Sequence, residues 1–378
     1  MVFISVSSSV FVATNKVSVI IVCYNVEPYL RRCLDSVMAQ SLEDMEVLVV
    51  VTPSPDGTEN IARSYESSHP GKVRVIISEG KGLGMARNMG LDHASGDFIG
   101  FVDSDDWIER DMFQRMHDSA VSEGADLTIC DYWCDVQVPS DVPTTRKILS
   151  LASSLARKRL VYHGLTDHGY GDTRSNAIMS GTTAVWNKLF SRNLLKGKGF
   201  YPDIVPEDYG LTISCICDAK RIVSVRAPLY HYQIREDSTL GDMRFFKQDP
   251  YQLFSSIARA RDNVLNGHTD ILPAFDDRAT LGLFNWNIDH IHHISDKGAR
   301  REKAERWARL LNDTLPGWRD RQPVRDWSVG LTSLEHLADC YEQERFDESY
   351  DDLIDKVTSP PYALVISLLR SLRKLSKI

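Results

Sequence analysis

The sequence predicts an α/β fold with a mostly parallel central sheet, followed by a mainly helical C-terminal region. Three observations predict it. Four short β-branched runs alternate with helical patterns between residues 17 and 102. Glycine, asparagine and aspartate collect directly after those runs. Beyond residue 245 the apolar residues recur almost entirely at helical spacing. Strand and helix alternating at this interval give parallel strands joined by right-handed crossovers.

The elements follow in order. Val17-Ser-Val-Ile-Ile-Val-Cys23 has the uninterrupted apolar character of a strand buried on both faces. Tyr24-Asn25 turns the chain, and Pro28 opens a helix whose apolar face is Leu30, Leu34, Val37 and Met38. Glu46 to Val51 is a second buried strand, and Asp56-Gly57-Thr58 leads into a helix through Ile61 and Tyr65. Val73 to Ile77 is a third strand, followed by a Gly-rich turn and a helix from about Met85 to Ala94. Phe98 to Val102 is the fourth, ending in Asp103-Ser-Asp-Asp106. After Asp126-Leu-Thr-Ile-Cys130, a polar stretch to about Ser175 reads as an insertion carrying one helix, and Thr183 to Tyr232 returns to mixed strand and helix. Helices are expected at Tyr251–Val264, Ala279–Ile294 and Arg301–Leu311. No repeat of 20–50 residues is visible, which argues against a solenoid.

Composition narrows the function classes. The chain has 378 residues, 44 Lys+Arg against 52 Asp+Glu, and a formal charge of -8. A globally acidic chain is a poor non-specific polyanion binder, so no nucleic-acid partner is expected. Seven scattered cysteines read as reduced thiols rather than a disulfide framework. Cys130 and Cys134 lack a second metal-ligating pair nearby and read as buried thiols. Met1 to Asn15 is apolar, Ser-rich and uncharged without a basic n-region, and no run approaches the length of a membrane span. The expected location is the cytoplasm.

In an open parallel sheet, ligands gather at the carboxyl ends of the strands. There the chain carries Tyr24-Asn25-Val26-Glu27, then Thr52-Pro53-Ser54-Pro55-Asp56-Gly57, then Gly80-Lys-Gly-Leu-Gly84 ahead of Arg87-Asn88, and finally Asp103-Ser104-Asp105-Asp106. Three carboxylates within four residues repel unless a cation sits among them, and an oxygen-rich set of this kind suits Mg²⁺ or Mn²⁺. The competing reading is an acidic turn capping the next helix, with Asp106 near its N-terminus. The Gly80–Gly84 stretch has neither the Gly-x-Gly-x-x-Gly pattern nor a phosphate-loop Lys-Ser/Thr, so its glycines serve a close backbone approach to a ligand.

Taken together, Val17-Ser-Val-Ile-Ile-Val-Cys-Tyr-Asn25, Leu34-Asp-Ser-Val-Met-Ala-Gln40, Gly84-Met-Ala-Arg-Asn-Met-Gly-Leu91, Ala94-Ser-Gly-Asp97 and Phe101-Val-Asp-Ser-Asp-Asp-Trp107 resemble, in content and order, family 2 glycosyltransferases. The resemblance is dense over 17 to about 110 and weaker over 183–240. It implies the GT-A fold and inverting transfer from a nucleotide-diphosphate sugar, a UDP-sugar foremost, to a hydroxyl of a glycan or lipid-linked acceptor of the cell-surface polysaccharide type. It further implies that Asp105 binds a divalent cation, Mn²⁺ or Mg²⁺, with Asp103 contacting the ribose or sugar and serving as second metal residue, and Ser104 between them. Arg87 and Asn88 would touch the diphosphate or donor, and Tyr24, Asn25 and Glu27 would line the nucleoside pocket. The implied domains are a flexible leader at 1–16, a GT-A domain at 17–240 (17–130 for the nucleotide sugar, 131–240 for the acceptor), and a helical domain at 241–378.

Trp186-Asn187-Lys188-Leu-Phe190 and Pro206-Glu-Asp-Tyr-Gly-Leu-Thr212 resemble the family's acceptor-side blocks. One-step displacement needs a carboxylate to take the acceptor proton. Asp208 is the expected base and Glu207 the second choice, against the alternative of a helix cap. Trp186, Lys188, His231 and Arg235 are acceptor or phosphate candidates. One departure stands out: where the family carries Asp-Asp-Gly-Ser-Thr-Asp, this chain has Val51-Thr52-Pro53-Ser54-Pro55-Asp56. Thr52 can still make a hydrogen bond there but no charge-assisted one, so the base is held differently, the donor is unusual or donor binding is weakened. Asp56 is expected to start the helix. This departure motivates a second reading, a catalytically weak binding or assembly module. Asp289-His-Ile-His-His293 lies within an expected helix, where its side chains diverge. Val365, Leu368, Leu369, Leu372 and Leu375 interleave with Arg370, Arg373, Lys374 and Lys377, so 361–378 fits either the inner face of a membrane or a packed last helix.

Overall fold

The computed structural model describes residues 16–136 except 81, 160–234 except 163–164, 166–170, 181–182 and 203–205, 251–321 except 292–293 and 295, and 339–350 except 345 and 349. The leader at 1–15, the expected 240/241 boundary, Arg235, His292, His293 and the basic end at 361–378 lie outside the described residues.

The four expected strands form as β1 (Val17–Cys23), β2 (Met45–Val51), β3 (Val73–Ile77) and β4 (Phe98–Asp103). Between them run α1 (Glu27–Met38), α2 (Thr58–Ser68) and α3 (Leu83–His93). β5 (Trp107–Ile108), α4 (Met112–Glu123), β6 (Leu127–Val136), β7 (Leu160–Tyr162), α5 (Thr173–Met179), β8 (Lys188–Ser191), α6 (Arg192–Leu195), α7 (Tyr209–Asp218) and β9 (Ile222–Ile234) follow. The C-terminal region contains α8 (Tyr251–Leu265), α9 (Leu272–Ile291) and α10 (Lys297–Thr314).

Among the described residues one nine-stranded sheet has the order β3-β2-β1-β4-β8-β6-β9-β5, with β7 beside β6. β1 to β4 are mutually parallel, whereas β8 runs antiparallel to both β4 and β6. β6 continues past Cys130 because it pairs in parallel with β9, with a register irregularity around Asp131. That partner comes from almost a hundred residues away, which is why strand length here was not readable locally. α9 also starts earlier than expected, at Leu272, with Pro273 in its first turn, where a missing N–H costs nothing.

Alternation along β1 divides two cores. Val17, Val19 and Ile21 pack with Leu30, Leu34 and Val37 of α1, Ile61 and Tyr65 of α2, and Phe113 and Met116 of α4. Ile20 and Val22 face the opposite side, in a cluster that includes Ala86 of α3, Ile213 of α7, Phe254, Ile257, Phe275 and Trp307. The C-terminal helices thus share a core with one face of the sheet. Gly90 lets α3 lie close to β1, since a Cβ there would sit 2.5 Å from Ile20 Cγ2. One turn earlier on α3, Arg87 is thereby held over the end of β4. Cys23, Cys33, Cys130, Cys215, Cys217 and Cys340 are buried free thiols, as expected.

Candidate active site

The carboxyl ends of β1, β2 and β4 adjoin, and each sends a loop to the same edge of the sheet. Asn25 turns the chain in the left-handed region at φ 52°, which asparagine tolerates better than most residues. Tyr24 beside it is 57% exposed, an aromatic face open at the strand end. Two loops are latched there. The Glu27 N–H donates to Asp56 Oδ2 at 3.0 Å, and the Gly57 N–H donates to Glu27 Oε2 at 2.6 Å. Asp56 also accepts from the Ser54 hydroxyl and the Thr58 N–H, starting α2 as expected. Against some burial, these hydrogen bonds hold its carboxyl down at about 2. Thr52 donates its N–H to the Cys23 carbonyl. A cleft of about 540 Å³ opens beside the latch, with Arg31 and Asn60 on its walls.

The acidic run lies across the strand end from this latch. Arg87 is 4% exposed and forks between two carboxylates: Nη2 donates to Asp103 Oδ1 at 2.8 Å and Nη1 to Glu207 Oε1. Burial opposes its charge, but Glu207 and Asp103 outweigh that and raise its pKa. Asp208 occupies the N-cap position of α7 yet makes no side-chain capping hydrogen bond, contrary to the cap alternative. Its half-buried carboxyl is pushed up to about 7 by burial first and the Glu207 charge next, with Arg87 pulling the other way. A single arginine therefore ties the end of β4 to the start of α7, with an unengaged capping position next to it.

Asp106 is not a helix cap, since the next helix begins at Met112. It is 1% exposed, accepts the Tyr230 hydroxyl at 2.6 Å and the Gln233 N–H at 2.8 Å, and is raised well above the usual carboxylate range by burial and by Asp105 and Asp103. The Tyr230 oxygen in turn accepts the Asp103 N–H at 3.1 Å, so the strand end is pinned from β9. Ser104 is buried and hydrogen-bonded with the Cys23 thiol. The Asp105 carbonyl accepts from Arg32, whose guanidinium lies 3.9 Å from the Trp107 ring centroid. Arg32, Tyr230 and Gln233 carried no sequence motif; their role comes from long-range pairing of β9.

The remaining candidates sit apart from an open face. Trp186 is 6% exposed and stacks on Tyr230 at 4.5 Å and Tyr232 at 5.3 Å. Lys188 is buried, donates to the Ala184 carbonyl and Asn187 Oδ1, and is lowered to about 7 by burial against the Asp208 charge. His231 is buried between the Trp107 and Trp133 rings, with Nε2 2.9 Å from Glu109 and Nδ1 3.1 Å from Asp135. The Asn88 amide clamps the Phe200 backbone, donating to its carbonyl and accepting its N–H.

Among the described residues no three His, Cys, Asp or Glu side chains converge into a metal cage. Two carboxylates, Asp103 and Asp105, fit a different kind of site: Mg²⁺-like cations are commonly held by one or two carboxylates together with substrate phosphates. Arg87 engages one oxygen of Asp103, which leaves the hard-oxygen donor set of the pair compatible with such an ion.

Residues 18–180 match the family described as glycosyl transferase family 2. EpsH of Bacillus subtilis (strain 168) is 32% identical over 232 residues, which span 60% of this chain and 62% of EpsH. The glycosyltransferase GlyA of Streptococcus pneumoniae serotype 4 is 30% identical over 227 residues, 59% of this chain and 31% of GlyA. The chain thus spans less than two thirds of either relative. The crystal structure of S. aureus TarS residues 1–349 with UDP-GlcNAc superposes with a TM-score of 0.64 at 21% identity, covering 90% of this chain and 91% of that one. With the parallel β3-β2-β1-β4 half-sheet and the helices around it, these likenesses show the GT-A fold, and residues 18–180 are similar to glycosyl transferase family 2.

Proposed function

We propose that the chain transfers a sugar, with inversion, from a nucleotide-diphosphate sugar to a hydroxyl of a glycan or lipid-linked acceptor. The observation that carries this reading is the Arg87 fork, which joins Asp103 at the donor-side strand end to Glu207 beside Asp208. UDP-GlcNAc bound to TarS supports a UDP-sugar as the first donor to test.

Asp208 is the base. A carboxylate whose pKa lies near the working pH holds the acceptor proton well without remaining protonated. As the acceptor oxygen bonds to the anomeric carbon, its proton passes to Asp208, and the bond from that carbon to the donor diphosphate breaks with its electron pair. Glu207 is engaged by Arg87 and serves to orient it. Arg87 provides fixed positive charge toward the donor side, and exposed Tyr24 offers a stacking surface for the nucleobase. Asp105 with Asp103 would hold a divalent cation, Mn²⁺ or Mg²⁺, which supplies charge neutralisation for the diphosphate. Thr52 takes the place of the family's charged nucleobase contact. No described helix is long and apolar enough to cross a membrane; the basic, leucine-bearing stretch 361–378 supports peripheral contact where the acceptor is lipid-linked.

The test is thermal stabilisation and donor hydrolysis with UDP-, GDP-, dTDP- and CDP-sugars, with and without Mn²⁺. A cation-dependent response to at least one donor is expected, and Asp105→Asn should remove it. No response to any donor would overturn the transferase reading in favour of a binding module.

A further inference from the structure

A cleft of about 390 Å³ lies between the 197–201 turn, the outer side of α7 and the end of α8. Its near end adjoins the acidic pair. Tyr201 donates its N–H to the Glu207 carbonyl at 3.3 Å, and its ring is so close to Gly210 that a Cβ there would come within 2.3 Å. From Gly210 the cleft follows Ser214 and Asp218 along one side of α7. That run is about 12 Å long at ~1.5 Å per residue. The cleft therefore begins two residues beyond Asp208 and leads away from it.

Its chemistry is polar without net attraction for an ion. Lys198 pairs with Asp218 at 2.8 Å, so these two rim charges offset each other, and His268 Nε2 lies 2.8 Å from the other oxygen of the same carboxylate. What faces the space besides them is neutral: the Ser214 hydroxyl, the exposed amides of Asn263 and Asn266, and Tyr201. The Tyr201 hydroxyl is hydrogen-bonded with Asn263, and the Arg259 guanidinium lies 5.4 Å from its ring centroid, so the ring is held in place. An anion would find the Lys198 charge already matched. An apolar ligand would leave the amides and the hydroxyl without partners. A ligand rich in uncharged hydroxyls, with ring faces to set against a tyrosine, meets both conditions.

We infer that this cleft binds an uncharged stretch of glycan, the part of the acceptor that runs away from the reacting hydroxyl. The inference rests on the transferase reading for which end of the glycan lies at Asp208, but binding itself is measured without any donor.

The experiment is saturation-transfer NMR on the full chain with chitotetraose, cellotetraose and maltotetraose, their monosaccharides, and glycerol 1-phosphate as the anionic arm. At least one tetrasaccharide should bind, and Asn266→Ala and Ser214→Trp should each weaken it by about tenfold, the equivalent of lost hydrogen bonds. Asn266 is exposed beyond the end of α8, so Asn266→Ala keeps the test open if Ser214→Trp does not fold. No tetrasaccharide binding by the wild type overturns the inference, as does wild-type binding by both folded variants. Glycerol 1-phosphate competing as well as the tetrasaccharide overturns the uncharged class. A tetrasaccharide signal in a protein that responds to no nucleotide sugar would sink the transferase reading and leave the cleft standing.

Discussion

Arg87 and Glu207 lie 120 positions apart in the chain and meet as a buried ion pair. Arg87 also reaches Asp103, so one planar guanidinium serves two carboxylates whose separation a lysine ammonium cannot span in the same way. Arg87→Met should lower stability by about 3–5 kcal/mol, the usual cost of leaving buried partners uncompensated. Arg87→Lys should recover part of that stability while still losing donor-induced stabilisation. Urea unfolding and a thermal shift with UDP-sugar check both, and an Arg87→Met protein as stable as the wild type would contradict the pairing.

The pH dependence follows from Asp208. Burial, then the Glu207 charge, push its carboxyl up to about 7, so transfer should rise with pH through about 7 and level off above it. Asp208→Asn should cut transfer by about 10²–10⁴ while keeping donor-induced stabilisation. The stability sign is opposite to that of activity. The folded pKa exceeds the unfolded value of about 3.9, so the folded state holds this proton more tightly. That stabilisation is complete below the unfolded value and fades as pH rises through about 7. Unfolding of wild type and Asp208→Asn across this window should diverge accordingly; a pH-independent transfer rate would count against Asp208 as the base.

Tyr230 pins the strand end through a single oxygen, accepting from the Asp103 N–H and donating to Asp106. Tyr230→Phe removes both contacts without changing the ring stacked on Trp186. A loss of about 1–3 kcal/mol is expected from the stranded partners. Urea unfolding measures it, and the cation-dependent donor response should weaken in parallel, because Asp103 loses its backbone anchor.

Gly84 allows the 200–202 segment to sit against α3. A Cβ at that position would come within 2.2 Å of the Tyr201 carbonyl oxygen, a backbone atom that no rotamer change can move aside. Gly84→Ala should therefore cost about 1–3 kcal/mol despite alanine's better helix propensity. Calorimetry would show it as a lower melting temperature; an unchanged one would mean that the segment yields freely.

How much was readable from sequence depended on whether the pattern was local. Val17–Cys23, Glu46–Val51, Val73–Ile77 and Phe98–Val102 each carry their own β-branched signal, and their positions agree with the strands within a residue or two. The Asp103–Asp106 run could be placed at a strand end for the same reason. Asp106 could not be assigned within that run, because its burial depends on Tyr230 and Gln233, more than a hundred residues away. From sequence, Trp186 and His231 fit either an acceptor contact or a structural place in the core. They are enclosed because β9 brings Tyr230 and Tyr232 over Trp186, while β5 and β6 bring Trp107 and Trp133 around His231. Tertiary pairing of that range leaves no periodicity in either segment.

The buried cysteines have a practical consequence. Burial pushes the Cys130, Cys215 and Cys217 thiols up to about 12 and raises Cys23 and Cys33 as well, so almost no thiolate exists at these five positions at neutral pH. Alkylating reagents act on thiolate and need access, so these five thiols should be chemically quiet toward them in the native protein. Cys23 touches Ser104 and Cys33 donates to the Asp103 carbonyl, which sets two such silent groups directly beneath the acidic strand end. Their labelling rate is a built-in clock for how often that end of the sheet opens.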